Sequence, residues 1–264
     1  MARKALTDTL WDQLQSTMIK YGCYQTQNSR EIMEAILWKL RTGAPWRDIP
    51  EELCSWKTAY SRFNRWSKTG LMGGFFFSLR KEIDTEWIFT DGSYVRCHQH
   101  ASGARRGEDR AIGQSRGGAT TKIHLSCDAD GYPLNFKITG GEVHDSQVAG
   151  ELIEMIGQAD YFIADKGYDS ESIRDKARSH NMIPVVPKRK NAKQPNPEFD
   201  SYLYKLRHLV ENMFARLKHF RSIATRYEKL ARNFKSIPYL ACTIIHCKMN
   251  DSTRPSDILN LSRL

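Results

Sequence analysis

Three acidic residues in this chain occupy positions from which they could act together on one substrate. Asp91 follows the apolar segment EWIFT (86–90), Asp165 follows DYFIA (160–164), and a glycine comes within two residues of each. Short apolar segments of this kind predict buried strands, so both aspartates are predicted to lie where a strand ends. Open α/β sheets usually carry their chemistry at the carboxyl ends of strands. The alternative is that each aspartate only forms a turn, because Asp-Gly is common in hairpins.

The third acid is Glu211, at the centre of the segment YKLRHLVENMFARLK (204–218). Its apolar periodicity predicts a single amphipathic helix, on which Tyr204, Arg207, Glu211 and Lys218 share a narrow arc beside the apolar flank. A lone glutamate on a basic helix could also be no more than an ion-pair partner. The two aspartates upstream favour a shared site instead.

Carboxylates that converge repel one another unless a cation lies between them. Mg²⁺ is the predicted cation, because it binds one or two carboxylates and completes its octahedron with water and phosphate oxygens. Two such ions can activate a water or a 3′-hydroxyl and stabilise the leaving oxygen of a phosphodiester, with Mn²⁺ as a substitute. Asp91, Asp165 and Glu211 are therefore the predicted metal ligands and catalytic residues. Arg207 and Lys218 would contact nonbridging phosphate oxygens, and Tyr204 would stack or form a hydrogen bond.

The overall charge favours a polyanionic partner. The 264 residues carry a formal net charge of +10, which points to nucleic acid first and to an acidic membrane surface second. No run of about 18 apolar residues is present, so no membrane-spanning segment is expected. The six cysteines are scattered without C-x-x-C pairs and predict reduced thiols. We expect a cytoplasmic protein.

The first 70 residues predict helices only, and one of these helices has a basic face. A Pro-punctuated turn precedes this helix, which carries Lys57, Arg62 and Arg65 away from its aromatic stripe. A short helix, a tight turn and a basic helix are the parts of a helix-turn-helix that binds DNA. A small helical bundle with a solvated basic face is the alternative.

Two further basic segments could follow a DNA backbone. One is the glycine-rich stretch 98–118, and the other is the Pro/Lys/Arg-rich stretch 187–198. The first could equally be an insertion without function. The predicted DNA-contacting residues in these two stretches are Arg105, Arg106, Arg116, Lys188, Arg189 and Lys190.

Four polar residues near the predicted strands are interpreted as structural. His124 is predicted to be packed within a strand, although it could point toward the metal site. His144 and Asp145 are interpreted as a helix cap, with an active-site role as the alternative. Asp128 is interpreted as a turn residue of a hairpin between strands 120–127 and 133–139. From residue 86 onward the predicted order is strand, hairpin, helix, strand, helix, strand, helix, which indicates a mixed sheet covered by helices.

Three separated motifs resemble those of a known family. Tyr204, Arg207, Glu211 and Lys218 reproduce the spacing of the Y-R-E-K signature of insertion-sequence DDE transposases. Asp165-Lys166-Gly167-Tyr168 and Thr90-Asp91-Gly92-Ser93 resemble the motifs around the two aspartates of that family. TGAPWRDIPEELCSWKTAYSRFNRW (42–66) is similar to the helical DNA-binding region of the insertion-sequence-five family. The resemblance covers roughly residues 6–248.

The resemblance implies an α/β fold: a ribonuclease H-like mixed five-stranded sheet flanked by helices, preceded by an all-helical DNA-binding domain. The predicted domains are 1–84 (DNA-binding), 85–250 (catalytic) and 251–264 (a polar tail). The implied activity is metal-dependent cleavage at transposon ends and joining of the 3′-hydroxyl ends to target DNA. The implied partners are double-stranded terminal inverted repeats, target DNA and at least one more copy of the chain. A domesticated, non-catalytic DNA-binding regulator and a metal-dependent nuclease without joining activity are the alternatives.

Overall fold

The structure is a computed structural model that describes residues 4–80, 84–103, 110–189, 195–197 and 199–251, without the side chains of 248–251. The predicted DNA contacts Arg105, Arg106 and Lys190 and almost all of the predicted tail lie outside these residues. In chain order the helices are α1 (Asp8–Lys20), α2 (Ser29–Thr42), α3 (Trp56–Thr69), α4 (Leu71–Leu79), α5 (Asp145–Ile156), α6 (Glu171–Ser179), α7 (Ser201–Lys205), α8 (His208–His219), α9 (Arg221–Ala224) and α10 (Ala231–Asp251). The strands are β1 (Trp87–Cys97), β2 (Gly113–Ser115), β3 (Gly118–Cys127), β4 (Pro133–Gly140), β5 (Tyr161–Ala164), β6 (Ile183–Val185) and β7 (Thr225–Arg226).

The chain forms two compact units. A helical unit comprises residues 1–81, 97–110 and 216–264, and a sheet unit comprises residues 82–96 and 111–215. The functional domain boundaries inferred from the sequence remain a prediction. None of the helices in the described part of the chain combines the length and apolarity that a bilayer crossing needs.

The helical unit is built around apolar side chains of its N-terminal helices. Leu14, Phe63 and Phe75 are almost fully buried. Helices α2 and α3 end at Gly43 and Gly70, whose φ angles of 67° and 76° lie in the left-handed region that favours glycine. Helix α10 packs on α4 within this unit, and its Tyr239 ring lies 5.7 Å from the ring of Phe76.

The sheet unit contains the predicted mixed sheet. Its main strands follow the order β4–β3–β1–β5–β6. The pairs β1–β3 and β3–β4 are antiparallel, whereas β1–β5 and β5–β6 are parallel. This order is that of a ribonuclease H-like fold, so the predicted fold class is confirmed. The five-strand prediction leaves out the short strands β2 and β7, and β2 lies inside the predicted basic loop 98–118.

The apolar interior on one face of this sheet explains why its strands stay in place. Ile88 of β1 and Phe162 of β5 pack in one buried cluster with Ile153 of α5 and Ile173 of α6. These side chains are at most 3% exposed. Burial of a side chain of this size contributes about 1.5–3 kcal/mol, so this cluster holds β1 and β5 side by side.

The prediction that a strand ends at Asp91 is wrong. Strand β1 continues to Cys97, and Asp91 pairs with Leu125 of β3 in the middle of the ladder. The Asp-Gly dipeptide favours a turn locally, but antiparallel pairing with β3 continues as far as Arg96 and keeps the backbone extended. The corresponding prediction for Asp165 is confirmed, since β5 ends at Ala164.

The prediction of one continuous helix over 204–218 is also wrong. Helix α7 ends at Lys205, α8 begins at His208, and Arg207 lies in the break between them. The backbone is tightened there, because the Arg207 N–H donates to the Tyr204 carbonyl (3.2 Å) and the Val210 N–H donates to the Arg207 carbonyl (3.2 Å). Helical periodicity continues across such a break and does not reveal it.

Asp128 organises the turn between β3 and β4. One carboxylate oxygen accepts the backbone N–H groups of Asp130 (3.1 Å) and Tyr132 (2.8 Å), and the residue is 3% exposed. Burial raises the pKa of Asp128 to about 6, although these two hydrogen bonds act to lower it. Asp130 and Asp84 add negative charge nearby and raise the pKa further.

Replacement of Asp128 with Asn is expected to increase the free energy of unfolding at pH 7. The folded pKa of about 6 exceeds the ordinary value of 3.8, so the folded state retains a proton that the unfolded chain loses between these pH values. The wild-type protein therefore loses stability as pH rises from about 4 to about 6, by at most ~3 kcal/mol. Asparagine keeps the acceptor and removes this dependence. Urea unfolding at pH 4 to 7 measures this dependence, with Asp160→Asn, at an exposed position, as control. If the stability of Asp128→Asn fell with pH as steeply as that of the wild type, the raised pKa of Asp128 would be contradicted.

Candidate active site

Two of the three predicted acids share one guanidinium group. Arg207 Nη1 donates to Asp91 Oδ2 at 2.8 Å, and Arg207 Nη2 donates to Glu211 Oε1. Asp91 and Arg207 are 116 positions apart along the chain. The break before α8 places Arg207 where it reaches both carboxylates. The structure therefore brings Asp91 and Glu211 together.

Asp165 directly follows β5, the strand next to that of Asp91. The last parallel pair of β1 and β5 is Thr90 with Ala164, and each aspartate is the residue that follows in its own segment. Asp165 Oδ1 accepts the backbone N–H of Gly167 at 2.7 Å, which turns the chain away from the sheet. The negative charge of Asp165 also raises the pKa of Asp91.

The electrostatics of this group favour a cation. Burial raises the pKa of Asp91, the Gly92 N–H and Arg207 lower it in part, and Asp165 raises it again. For Arg207, burial acts to lower the pKa, but the charges of Asp91 and Glu211 outweigh burial and raise it. The guanidinium is therefore charged at all relevant pH values and neutralises part of the acidic group.

The other predicted site residues of the sheet unit lie around this group or on the surface. Tyr204, on α7, is half-buried, with its ring centroid 5.9 Å from Arg207 Cζ. Arg116 is exposed directly after β2, Lys188 is half-buried, and Arg189 is exposed. The backbone N–H of Arg189 donates to Asp169 Oδ2 at 2.8 Å, which attaches the basic segment to the loop that follows Asp165.

The predicted basic residues of α3 belong to the helical unit. Lys57 and Arg65 are exposed. Arg62 is half-buried and donates from Nη1 to the Tyr24 carbonyl at 3.4 Å. Lys218 is exposed in the last turn of α8. Two of the three predicted DNA contacts on α3 are thus open to a partner, and the third is partly used within the unit.

Lys122, His124 and Asp145 form a second polar cluster, of which only Lys122 was absent from the residues considered from the sequence. Asp145 Oδ2 accepts from Lys122 Nζ at 2.5 Å, and Asp145 Oδ1 lies 3.1 Å from His124 Nδ1. His124 Nε2 is 2.9 Å from Thr139 Oγ1. Burial acts to raise the pKa of Asp145, but His124 and Lys122 outweigh it and hold the pKa below its usual range.

A signal for this cluster was present in the sequence. Lys122 and His124 alternate with Ile123 and Leu125 along β3, so two polar side chains share one face of a buried strand. Buried polar side chains need partners. His144, rather than Asp145, provides the cap of α5, because its Nδ1 accepts the backbone N–H of Ser146 at 3.3 Å. Asp145 is therefore free to face the sheet.

Comparison with known proteins decides the family. A family model described as "Putative transposase of IS4/5 family" matches residues 6–76. A second model, described as "Transposase DDE domain", matches residues 84–245, more than half of the chain. The chain belongs to the insertion-sequence DDE transposases.

Individual relatives agree with this assignment. The "Putative transposase for insertion sequence element IS6501" of Brucella ovis is 36% identical over 130 residues, covering 48% of this chain and 97% of that protein. The uncharacterized protein y4sN of Sinorhizobium fredii is 42% identical over 79 residues, covering 30% of this chain and 63% of that protein. The chain thus spans less than two thirds of the y4sN protein. The solved "Mos1 transposase paired-end complex with left transposon end" covers 96% of this chain and 90% of its own at 12% identity and a TM-score of 0.28, and a score this low supports no inference.

A DDE transposase domain implies dependence on a divalent metal ion. Asp91, Asp165 and Glu211 supply only carboxylate oxygens, the donors that hard divalent cations prefer, so the donor chemistry fits such an ion. Among the described residues no three acidic, histidine or cysteine side chains lie close enough together to hold a metal ion as they stand. The Arg207 guanidinium lies between Asp91 and Glu211. Both carboxylates can bind the same ion only if this guanidinium turns away.

Gly92 of this transposase is required for space rather than for a turn. A Cβ atom at position 92 would lie 2.3 Å from Asp145 Oδ1 and 2.7 Å from Lys122 Cε. Both side chains are held in place by their ion pair, so neither can move away freely. The glycine that follows Asp91 therefore makes room for the Lys122–Asp145 pair.

Replacement of Gly92 with Ala is expected to lower the free energy of unfolding by about 1–3 kcal/mol, the usual cost of overpacking. The matched control is Gly150→Ala in α5, where an added Cβ meets nothing within 4 Å. That control is expected to be neutral or to stabilise the helix by about 0.5–1 kcal/mol. Urea unfolding of both variants measures the difference, and a Gly92→Ala variant as stable as Gly150→Ala would show that the space is not required.

Proposed function

We propose that this protein is a transposase that binds the terminal inverted repeats of an insertion sequence, cleaves at the transposon ends and joins the 3′-hydroxyl ends to target DNA. One observation carries the proposal. Asp91 and Glu211 share the Arg207 guanidinium, and Asp165 directly follows the strand that pairs with that of Asp91, all within a segment that matches a transposase DDE domain. A regulator without catalysis has no use for three acids so placed.

Asp91, Asp165 and Glu211 would hold the divalent ions, with Mg²⁺ as the physiological metal and Mn²⁺ as a substitute. When bound, two such ions supply activation of the attacking oxygen and stabilisation of the leaving oxygen. The same acids serve hydrolysis at the transposon end and transesterification into target DNA, because both reactions attack a phosphodiester with an oxygen nucleophile.

Arg207, Tyr204 and Lys218 would position the DNA strand. Arg207 is already charged and within reach of two of the acids, so on leaving one carboxylate it can bind a nonbridging phosphate oxygen in two-pronged geometry. The Tyr204 ring, adjacent to Arg207, can stack on a base or donate to a phosphate. Lys218 is exposed and would act as a point charge.

Recognition of the terminal repeats is assigned to the N-terminal helices, with Lys57, Arg62 and Arg65 on α3 as contacts. Arg116, Lys188 and Arg189 would follow the DNA backbone. Arg105, Arg106 and Lys190 stay predictions from the sequence. The proposed division is a DNA-binding domain over 1–84, a catalytic domain over 85–250 and a tail over 251–264. Two transposon ends have to be held at once, so at least two copies of the chain would assemble on DNA, and the protein would associate with the nucleoid.

The proposed catalytic acids are tested by Asp91→Asn, Asp165→Asn and Glu211→Gln. Each variant is expected to reduce cleavage at least about 100-fold. Removal of a residue that only supports a metal ligand already costs up to about 100-fold, and loss of the ligand itself should cost no less. Binding to terminal-repeat DNA should be retained, because α3 is unchanged. The assay is incubation with Mg²⁺ or Mn²⁺ and DNA that carries the flanking repeats, scoring both nicked and joined products.

The matched control for this assay is Asp175→Asn, which removes the same charge from an exposed position on α6. Full activity in any of the three acid variants would remove that residue from the site. Nicked products without joined products from the wild-type protein would identify a nuclease instead of a transposase.

The proposed DNA-binding helix is tested by Arg65→Ala. Loss of one phosphate contact is expected to weaken repeat binding several-fold and to reduce the slope of log affinity against log salt by about one. The control is Arg232→Ala, which removes the same side chain from an exposed position on α10 of the same unit. Equal affinities and salt slopes for the two variants would contradict a role of α3 in DNA binding.

A further inference from the structure

Asp145 lies where β5 separates from β1. Beyond the pair of Thr90 with Ala164, β1 continues while the other chain turns away after Asp165. The Asp145 carboxylate lies against the backbone on both sides of this opening. A Cβ atom on Gly92 would be 2.3 Å from its Oδ1, and one on Gly167 would be 3.6 Å from its Oδ2. The Asp145 oxygens therefore lie next to the residues that follow Asp91 and Asp165.

The position of Asp145 is itself fixed by β3. Lys122 Nζ donates to Oδ2 at 2.5 Å, and His124 Nδ1 lies 3.1 Å from Oδ1. Lys122 and His124 are 3% and 0% exposed. They stand opposite Tyr94 and Gly92 in the β1–β3 ladder. The Asp145 carboxylate thus connects β3, the antiparallel neighbour of β1, to the end of β5, the parallel neighbour of β1.

Helix capping and stability do not account for this arrangement. His144 already caps α5, so the Asp145 side chain is not needed there. A buried ion pair is weak evidence for stability, because the loss of hydration offsets most of the attraction, and its best supported use is to select one arrangement of the chain. The arrangement that this pair selects is the spacing of the backbone beside Asp91 and Asp165.

We propose that Asp145, held by Lys122, is a positioning residue that sets the separation of Asp91 and Asp165. This inference rests on the proposed function, in which these two aspartates hold divalent metal. Asp145 acts through the backbone of Gly92 and Gly167 and contacts neither DNA nor metal. Displacement of a carboxylate by about 1 Å is enough to reduce the rate of a reaction that needs a defined geometry.

The test uses the full chain bound to terminal-repeat DNA and measures Mn²⁺ affinity by electron paramagnetic resonance of the free ion. Asp145→Asn keeps the shape and loses the ion pair, and it is expected to weaken Mn²⁺ binding about 10-fold, as expected for an outer partner of a metal site. Asp145→Glu keeps the charge but adds a methylene that has no room against Gly92, so it should weaken binding to a similar extent. Wild-type Mn²⁺ affinity in Asp145→Glu would overturn the positioning role, because it would show that only the negative charge at this position matters.

Two further variants separate positioning from folding. The double variant Lys122→Met/Asp145→Asn leaves no unpaired buried charge, and it should bind Mn²⁺ no more weakly than Asp145→Asn because both residues act as one unit. A double variant that binds Mn²⁺ more weakly than Asp145→Asn would overturn the role of Lys122. The control Glu154→Gln removes a charge from an exposed position on the same helix, where the glutamate pairs with Lys176, and it should bind Mn²⁺ like the wild type. A lower melting temperature in Asp145→Asn with unchanged Mn²⁺ affinity would reduce Asp145 to a structural role.

Failure of the inference and failure of the proposed function give different results. The absence of saturable Mn²⁺ binding in the wild type, or unchanged binding in Asp91→Asn, would contradict the metal site itself. Loss of binding in Asp91→Asn together with wild-type binding in Asp145→Asn would contradict the positioning role alone.

Discussion

The mutual repulsion of carboxylates around the centre of β1 is the constraint on which the arrangement of this site depends. Asp91, Asp165 and Asp145 all act on the same region, since the charges of the other two raise the pKa of Asp91. Acids this close are stable only with cations among them. Arg207 pairs with Asp91 on one face of β1, and Lys122 pairs with Asp145 beneath Gly92 on the other face.

These two ion pairs have different surroundings and therefore different physical consequences. The Lys122 side chain is 4% exposed and pairs with Asp145, so loss of that partner would leave a buried charge unpaired. The Arg207 side chain is 20% exposed and divided between two carboxylates, and Glu211 is half open to solvent at 52%. The Arg207 contacts can be exchanged for a metal ion and a phosphate at much lower cost. The site thus combines a fixed ion pair, Lys122 with Asp145, on one face of β1 with an exchangeable pair, Arg207 with Asp91, on the other face.

The topology of the sheet explains how residues far apart along the chain reach this site. Parallel pairing of β1 with β5 places Asp165 directly beside Asp91, and β3, on the other side of β1, brings Lys122 and His124. A strand with a parallel neighbour on one side and an antiparallel neighbour on the other collects residues from three segments. Helix α8 adds Glu211 from a fourth segment.

Much of the fold could be predicted from local patterns, and the errors have a common cause. The order of strands and helices from residue 86 onward and the end of β5 at Ala164 follow from apolar runs and turn residues. The predicted end of the first strand at Asp91 failed because pairing with β3 outweighs the turn preference of Asp-Gly. The predicted continuous helix failed at Arg207, where the side chain bonds to Asp91 on a distant strand. In both cases a contact over a long sequence separation outweighed a local preference.

By itself the sequence determined the class of fold, the family, and the three acids as candidates, because apolar periodicity and motif spacing are properties of short segments. Only the tertiary structure decided that Arg207 joins Asp91 to Glu211 and that Asp145 lies beneath Gly92. Which cation neutralises which acid depends on distances between segments that meet only in the folded chain. Local pattern carries no information about those distances, since Coulomb attraction and the exclusion of water act between neighbours in space.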